Sequence, residues 1–214
     1  MISKATISKA TVSKVILAAA LSLTGATLAQ AQDADMSFFI TSANPGNGAD
    51  LGGLDGADAY CGTLAEAAGV TGKNWAAYLS SSAENARDRI GNGPWTNANG
   101  VVVAQSVADL HSDNNKLSKA NSVSETGEAI NGRGDTPNRH DILTGSSLDG
   151  ILVGDACEDW ATSGEGSAMV GHHDRTGGGD NPTAWNSAHG SRGCGMVALQ
   201  GSGGDGLFYC FATD

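Results

Sequence analysis

The chain has 214 residues, with 12 Lys and Arg against 23 Asp and Glu and a formal charge of −11 at pH 7. So acidic a chain disfavours nucleic acid, heparin-like polymers and other polyanions as partners. Only 16% of residues are charged while Gly reaches 31, a profile of turns and loops rather than long solvated helices, and the length suits one domain.

In chain order, residues 1–14 carry Lys4, Lys9 and Lys14 and no acid, then run into the apolar stretch VILAAALSLTGATLA (15–29), too short to cross a bilayer. Ala29-Gln30-Ala31 puts small residues at the two positions a signal peptidase reads. The expectation is a signal peptide over 1–31, then a single domain over 32–214 that is secreted or periplasmic and does not insert in a membrane. Losing three of the 12 basic residues and no acid leaves 9 basic and 23 acidic side chains in 183 residues, a formal charge of −14. The first cysteine is Cys61, so no lipid anchor on a new N-terminal cysteine is expected.

MSFFITS (36–42) reads as an opening strand and ANPGNGADLGG (43–53) as a turn-rich connection. A helix follows: Asp55 is a candidate N-cap, Cys61, Leu64, Ala65 and Ala68 recur at i, i+3, i+4 and i+7, and Gly69 sits where a C-cap glycine belongs. NWAAYLSSS (74–82) has a strand's pattern, and Ser82 is placed to cap a short helix through Ile90. Beyond Trp95 the pattern loosens, and residues from about 96 to 138 read as a surface excursion, its polar part 105–138 lacking a sustained period. Short strands are expected in HDILTG (140–145), ACEDWATS (156–163) and SAMVGH (167–172), a Gly-rich polar stretch from Gly177 to Gly193, and a β-prone close in GLFYCFAT (206–213). The order predicts a mixed α+β fold.

Four cysteines remain beyond the signal: Cys61, Cys157, Cys194 and Cys210. An oxidising compartment implies two disulfides, and four cysteines allow three connectivities among which spacing does not choose. No CxxC is present, which argues against a thiolate metal or redox site.

The segment 38–91, FFITSANPGNGADLGGLDGADAYC through to ARDRIG, resembles the opening of endostatin and of secreted bacterial endostatin-like domains, with GAD and Cys61 on the helix and a strand ending in LSS. ILTGSSLDG (142–150), CEDW (157–160), WNSAHGSRGC (185–194) and GLFYCF (206–211) follow in the order of the same group. This resemblance implies a C-type-lectin-like (endostatin-like) fold with long surface loops. It also implies an outer bridge, Cys61 with Cys210, and an inner one, Cys157 with Cys194.

Sugar-binding members of that fold hold calcium with loop oxygens, commonly through EPN or QPD and then WND. Here the loop reads GDNPTAWNS (179–187): Asn186 after Trp185 matches the start of WND, and Ser187 replaces its aspartate. Asp174, Asp180 and Asn186 are the candidate calcium ligands. Asp174, Asp180, Asn181 and Asn186, with Trp95 and Trp185 to stack on sugar rings, form the candidate ligand set. His172-His173-Asp174 is the candidate centre for a metal-dependent enzyme, although adjacent strand residues point to opposite faces. Arg133-Gly134-Asp135 spells the tripeptide that integrins recognise. The leading expectation is a non-catalytic binding module for carbohydrate or an extracellular protein, with calcium as its candidate cofactor. A metal-dependent enzyme and a structural or adhesive surface protein are the alternatives.

Overall fold

The run GDGLFYCFA forms the longest strand, β8 (Gly204–Ala212), and the main sheet is built on it. The computed structural model describes residues 1–2 and 35–214; the signal-peptide reading falls on residues that lie outside the described ones. β1 (Phe38–Ile40) and β2 (Trp75–Ala77) both run antiparallel to β8, pairing with its Tyr209–Ala212 end. β5 (Asp141–Leu143) runs parallel to the other half of β8, Asp141 against Gly204 and Leu143 against Phe208. β6 (Met169–His172) and β7 (His189–Gly190) extend the sheet outward, giving the order β1-β8-β5-β6-β7. β3 (Trp95–Thr96) and β4 (Val102–Ala104) form a separate two-stranded ribbon. The protein is α+β with two disulfides.

Both faces of β8 are buried, because its side chains alternate between two apolar clusters. Phe208, Cys210 and Ala212 join Phe39, Trp75 and Cys61 on one side. Leu207, Tyr209 and Phe211 join Phe38, Ile40, Tyr78 and Trp95 on the other. A fully buried side chain of this size contributes about 1.5–3 kcal/mol, so this strand is the part of the fold least tolerant of truncation.

α1 (Gly53–Ala67) buries Ala57, Cys61 and Ala65, an i, i+4, i+8 stripe, and ends before Gly69 at φ +88°. Its N-cap is Gly52 in the left-handed region rather than Asp55, which lies in the first turn. α2 (Ala86–Arg89) has Asn85 at its N-cap position, without a side-chain capping hydrogen bond, while Ser82 bonds the Asp159 carboxylate. The segment read as a surface excursion is woven into the interior. It holds α3 (Val107–Leu110), and Leu110, Leu117, Val123 and Ile130 are all buried.

The strand expected at 156–163 is absent. Ala156–Trp160 (α4) forms one turn with all five φ angles between +46° and +70°, a left-handed turn. It is held by the Cys157–Cys194 disulfide, by Asp155 accepting from the Cys157 amide, and by Trp160 Nε1 donating to the Ser80 carbonyl. The second disulfide, Cys61–Cys210, ties α1 to β8. α5 (Met196–Ser202), flanked by Gly195 and Gly203, fills a stretch for which the sequence pattern gave no element.

Candidate metal centre

Asp141 opens β5 and stands directly across from His172 at the end of β6. Directly paired residues of antiparallel strands lie on the same face, about 5 Å apart. Val170, two residues before His172 and hence on that same face, pairs in turn with His189 of β7. Register alone therefore brings Asp141, His172 and His189 together. His140, the residue before β5, adds a third imidazole stacked on His172 at 4.3 Å between ring centroids.

All three rings present Nε2 to a single carboxylate oxygen. From Asp141 Oδ1 the distances are 3.0 Å to His140, 3.3 Å to His172 and 3.5 Å to His189. The other ring nitrogens face acceptors. His172 Nδ1 lies 2.8 Å from the Pro182 carbonyl, His189 Nδ1 3.0 Å from that of Gly190, and His140 Nδ1 3.5 Å from Asp174 Oδ1. The acceptors at Nδ1 of His172 and His189 favour the Nδ1–H tautomer, in which the Nε2 lone pairs are directed inward, while His140 Nδ1 makes no hydrogen bond among the described residues. His172 is fully buried, Asp141 nearly so, and His189 forms the solvent side with 25% of its side chain exposed.

Three lone pairs converging on a buried carboxylate repel one another unless a cation lies among them. Asp141 Oδ1, Asp141 Oδ2 and His172 Nε2 are buried without a hydrogen-bond partner among the described residues, a condition that calls for a specific explanation in a native protein. Without a cation the alternative is a proton on Nε2: burial opposes ionisation of Asp141, but hydrogen bonds donated to it by the facing His172 and His189 imidazoles more than offset burial and hold the carboxyl below the usual range. The Asp141 carboxylate in turn raises the His189 pKa, against the effect of burial. Asp174 is held far below the ordinary carboxylate value: burial resists, but His140 and the amides of Arg133 and Thr176 stabilise the charge.

The donor set suits a borderline transition metal such as zinc. Zinc takes His nitrogen and carboxylate oxygen at about 2.0–2.1 Å in a tetrahedron, which puts neighbouring ligand atoms about 3.3 Å apart. The three spacings from Asp141 Oδ1 are close to that value. Only His140, Asp141 and His172 have their ligand atoms all within 4.8 Å of one another, so His189 must shift to complete a tetrahedron. His140, Asp141 and His172 form the one group of His, Cys, Asp and Glu ligands with metal spacing found among the described residues. Two glycines allow the crowding. A Cβ on Gly177 would overlap the His172 ring, and one on Gly203 would lie 2.9 Å from His140 Nε2.

Of the residues singled out in the sequence, His172 belongs to this centre, and Asp174 stands behind it against His140. His173 points elsewhere, with Nε2 3.1 Å from the Asn131 carbonyl, so the His172-His173-Asp174 trio does not converge. Asp180, Asn181, Trp185 and Asn186 line a different cavity of about 380 Å³, to which Asp174 and Trp95 do not contribute. The Asn186 amide is committed to Tyr78 Oη and the Ser147 and Leu148 carbonyls. Asp174 lies outside this cavity, bonded to the Arg133 and Thr176 amides and facing His140, so the calcium set Asp174, Asp180 and Asn186 is not assembled.

Trp95 and Trp185 are buried, at 1% and 3% exposed, and neither presents a ring face for a sugar. Trp95 packs edge-on against Phe211 and donates to the Ala212 carbonyl. Arg133 and Gly134 are exposed, while Asp135 pairs with Lys119 at 2.5 Å. His140, Asp141 and His189 escaped the sequence reading. Their signal was a His-Asp pair heading a strand candidate, with three further histidines downstream, His172, His173 and His189.

Comparison with known proteins finds no matching family model and no matching curated protein. The class defined by fold and site is an α+β, disulfide-bonded domain with three histidines gathered around a buried aspartate.

Proposed function

We propose that the protein is an extracytoplasmic, non-catalytic binding domain of the C-type-lectin-like (endostatin-like) class. Its ligand-facing loops are set by a zinc ion held by His140, Asp141 and His172, with His189 as the candidate fourth ligand. The observation that carries this reading is the convergence of three Nε2 atoms within 3.5 Å of one buried carboxylate oxygen. His140, Asp141 and His172 supply three ligands at metal spacing; His189 closing in as the fourth gives the closed tetrahedron of a structural ion, whereas catalytic zinc keeps that position open for water. The ion joins β5, β6 and β7, and so steadies the polar loop between them.

Export is supported by the signal-peptide pattern and by two disulfides, which belong to an oxidising compartment. No described helix is long and apolar enough to cross a membrane. Support for the lectin-like class comes from the ordered motifs of the sequence and from the Cys61–Cys210 and Cys157–Cys194 pairs that the resemblance implies. Carbohydrate or an extracellular protein is the ligand class that goes with it.

Equilibrium dialysis of the full chain against zinc, with metal content measured per chain, tests the centre. One zinc per chain is expected. Asp141→Asn keeps the shape but removes the charge, and His189→Gln removes the exposed ligand; each should weaken retention by at least about tenfold. Undiminished zinc binding in both variants would refute the site.

A further inference from the structure

We infer that the cavity beside this centre binds a small oxyanion, a carboxylate- or phosphate-bearing molecule; the inference rests on the zinc reading above. The cavity measures about 400 Å³, and its lining includes Arg133, Asn138, His140, His189, Arg192 and Ser202. That volume suits a small-molecule ligand. No Asp or Glu lines it, in a chain with nearly twice as many acids as bases.

The two arginines are free to act. Most other basic side chains are engaged. Arg89 pairs with Asp58 and Glu84, Lys119 with Asp135 and Arg139 with Asp205. Arg87, Arg175 and Lys73 hydrogen-bond to loop oxygens. Arg133 and Arg192 make no ion pair among the described residues, and both residues line the same cavity. Arg133 is also anchored at its backbone, its amide donating to Asp174 Oδ2 at 2.6 Å. Asp174 is the carboxylate that faces His140, so one group orients both a metal ligand and the cavity rim.

A zinc ion with one carboxylate ligand carries a net charge of about +1. Set against His140 and His189 at the cavity wall and joined by two unpaired guanidinium groups, it creates a positive pocket in an otherwise acidic molecule. Guanidinium forks bind carboxylate and phosphate oxygens through paired hydrogen bonds, which gives the site its ligand class. The pocket's attraction fades beyond roughly one Debye length, about 8–10 Å, and a polymer extending past it meets the acidic surface at close range, so a small anion is favoured over a polyanion.

The test is calorimetry on the full chain, loaded with one equivalent of zinc, with inorganic phosphate and acetate in separate arms. Binding in both arms assigns the site to oxyanions generally, and binding of phosphate alone to phosphate-bearing ligands. Arg133→Gln and Arg192→Gln should each weaken binding by about fivefold or more, with zinc content and near-ultraviolet circular dichroism unchanged. Zinc uptake with anion affinity unchanged in the double variant, or with no anion binding in either arm, overturns the oxyanion site and leaves the metal centre standing. Failure of the wild-type chain to take up zinc overturns both.

Discussion

His111 is held neutral by its surroundings. Its Nδ1 lies 2.8 Å from the Val107 carbonyl and its Nε2 2.8 Å from Tyr78 Oη, which itself accepts from the Asn186 amide. Burial lowers the His111 pKa from 6.5, because the charged ring is desolvated. A lowered histidine pKa means that the unfolded chain binds the extra proton first. Its stabilising contribution is therefore intact above the unfolded value, near pH 6.5, and is lost as pH falls through the folded value. In a histidine titration followed by NMR, His111 should show a midpoint below 6.5; a midpoint at or above it would contradict the burial argument. Gly177 offers a second test at this scale. A Cβ there overlaps the His172 ring and comes within 3.2 Å of His140, at a φ of +148°. Gly177→Ala should cost about 1–3 kcal/mol and weaken zinc binding by about tenfold or more, as read by denaturant titration and dialysis. Unchanged zinc affinity would mean that the rings are free to move away from the centre.

Left-handed φ angles at Ala156–Trp160 cost L-residues about 1–2 kcal/mol each, so α4 persists only because its flanks are fastened. Within it Glu158 is exposed at φ +54°. Glu158→Gly should therefore stabilise the protein by about 0.5–1 kcal/mol, the reverse of glycine's effect in a right-handed helix. A loss of about 1 kcal/mol in denaturant unfolding would show that the turn is not left-handed in solution. Removing the fastening, with Cys157→Ser and Cys194→Ser together, should cost about 2–5 kcal/mol and expose residues 156–160 to proteolysis. Equal stability with and without this bridge would count against that role. This turn also shows why part of the fold was illegible in sequence. Cys157 and Trp160 look like strand residues, and no residue pattern announces five consecutive left-handed angles outside glycine. α1 was legible because one stripe, Ala57, Cys61 and Ala65, carries its burial. The segment 105–138 was not, because Leu110, Leu117, Val123 and Ile130 are buried singly and too far apart to make a period.

At the scale of the whole molecule, two disulfides crosslink a Gly-rich chain, α1 to β8 and α4 to the loop before α5, and the proposed metal centre adds a third link across β5, β6 and β7. The two disulfides could be foreseen from cysteine count and compartment. The centre could not, because Asp141, His172 and His189 meet only through strand register, and the register of β6 and β7 is set by packing rather than by local pattern. Both sugar-stacking tryptophans were misplaced for a related reason: a large aromatic in a polar stretch reads the same whether it covers the core or faces solvent. The proposed domain depends most on the ion. The most direct measurement is thermal unfolding of the full chain in zinc, in calcium and in EDTA. With free zinc at about 100 times its dissociation constant, binding to the folded state alone adds about 2.7 kcal/mol and raises the midpoint by about 5–10 °C over EDTA, while calcium leaves it unchanged. Identical midpoints in zinc and EDTA would contradict the metal centre and leave the cluster as a proton-sharing network.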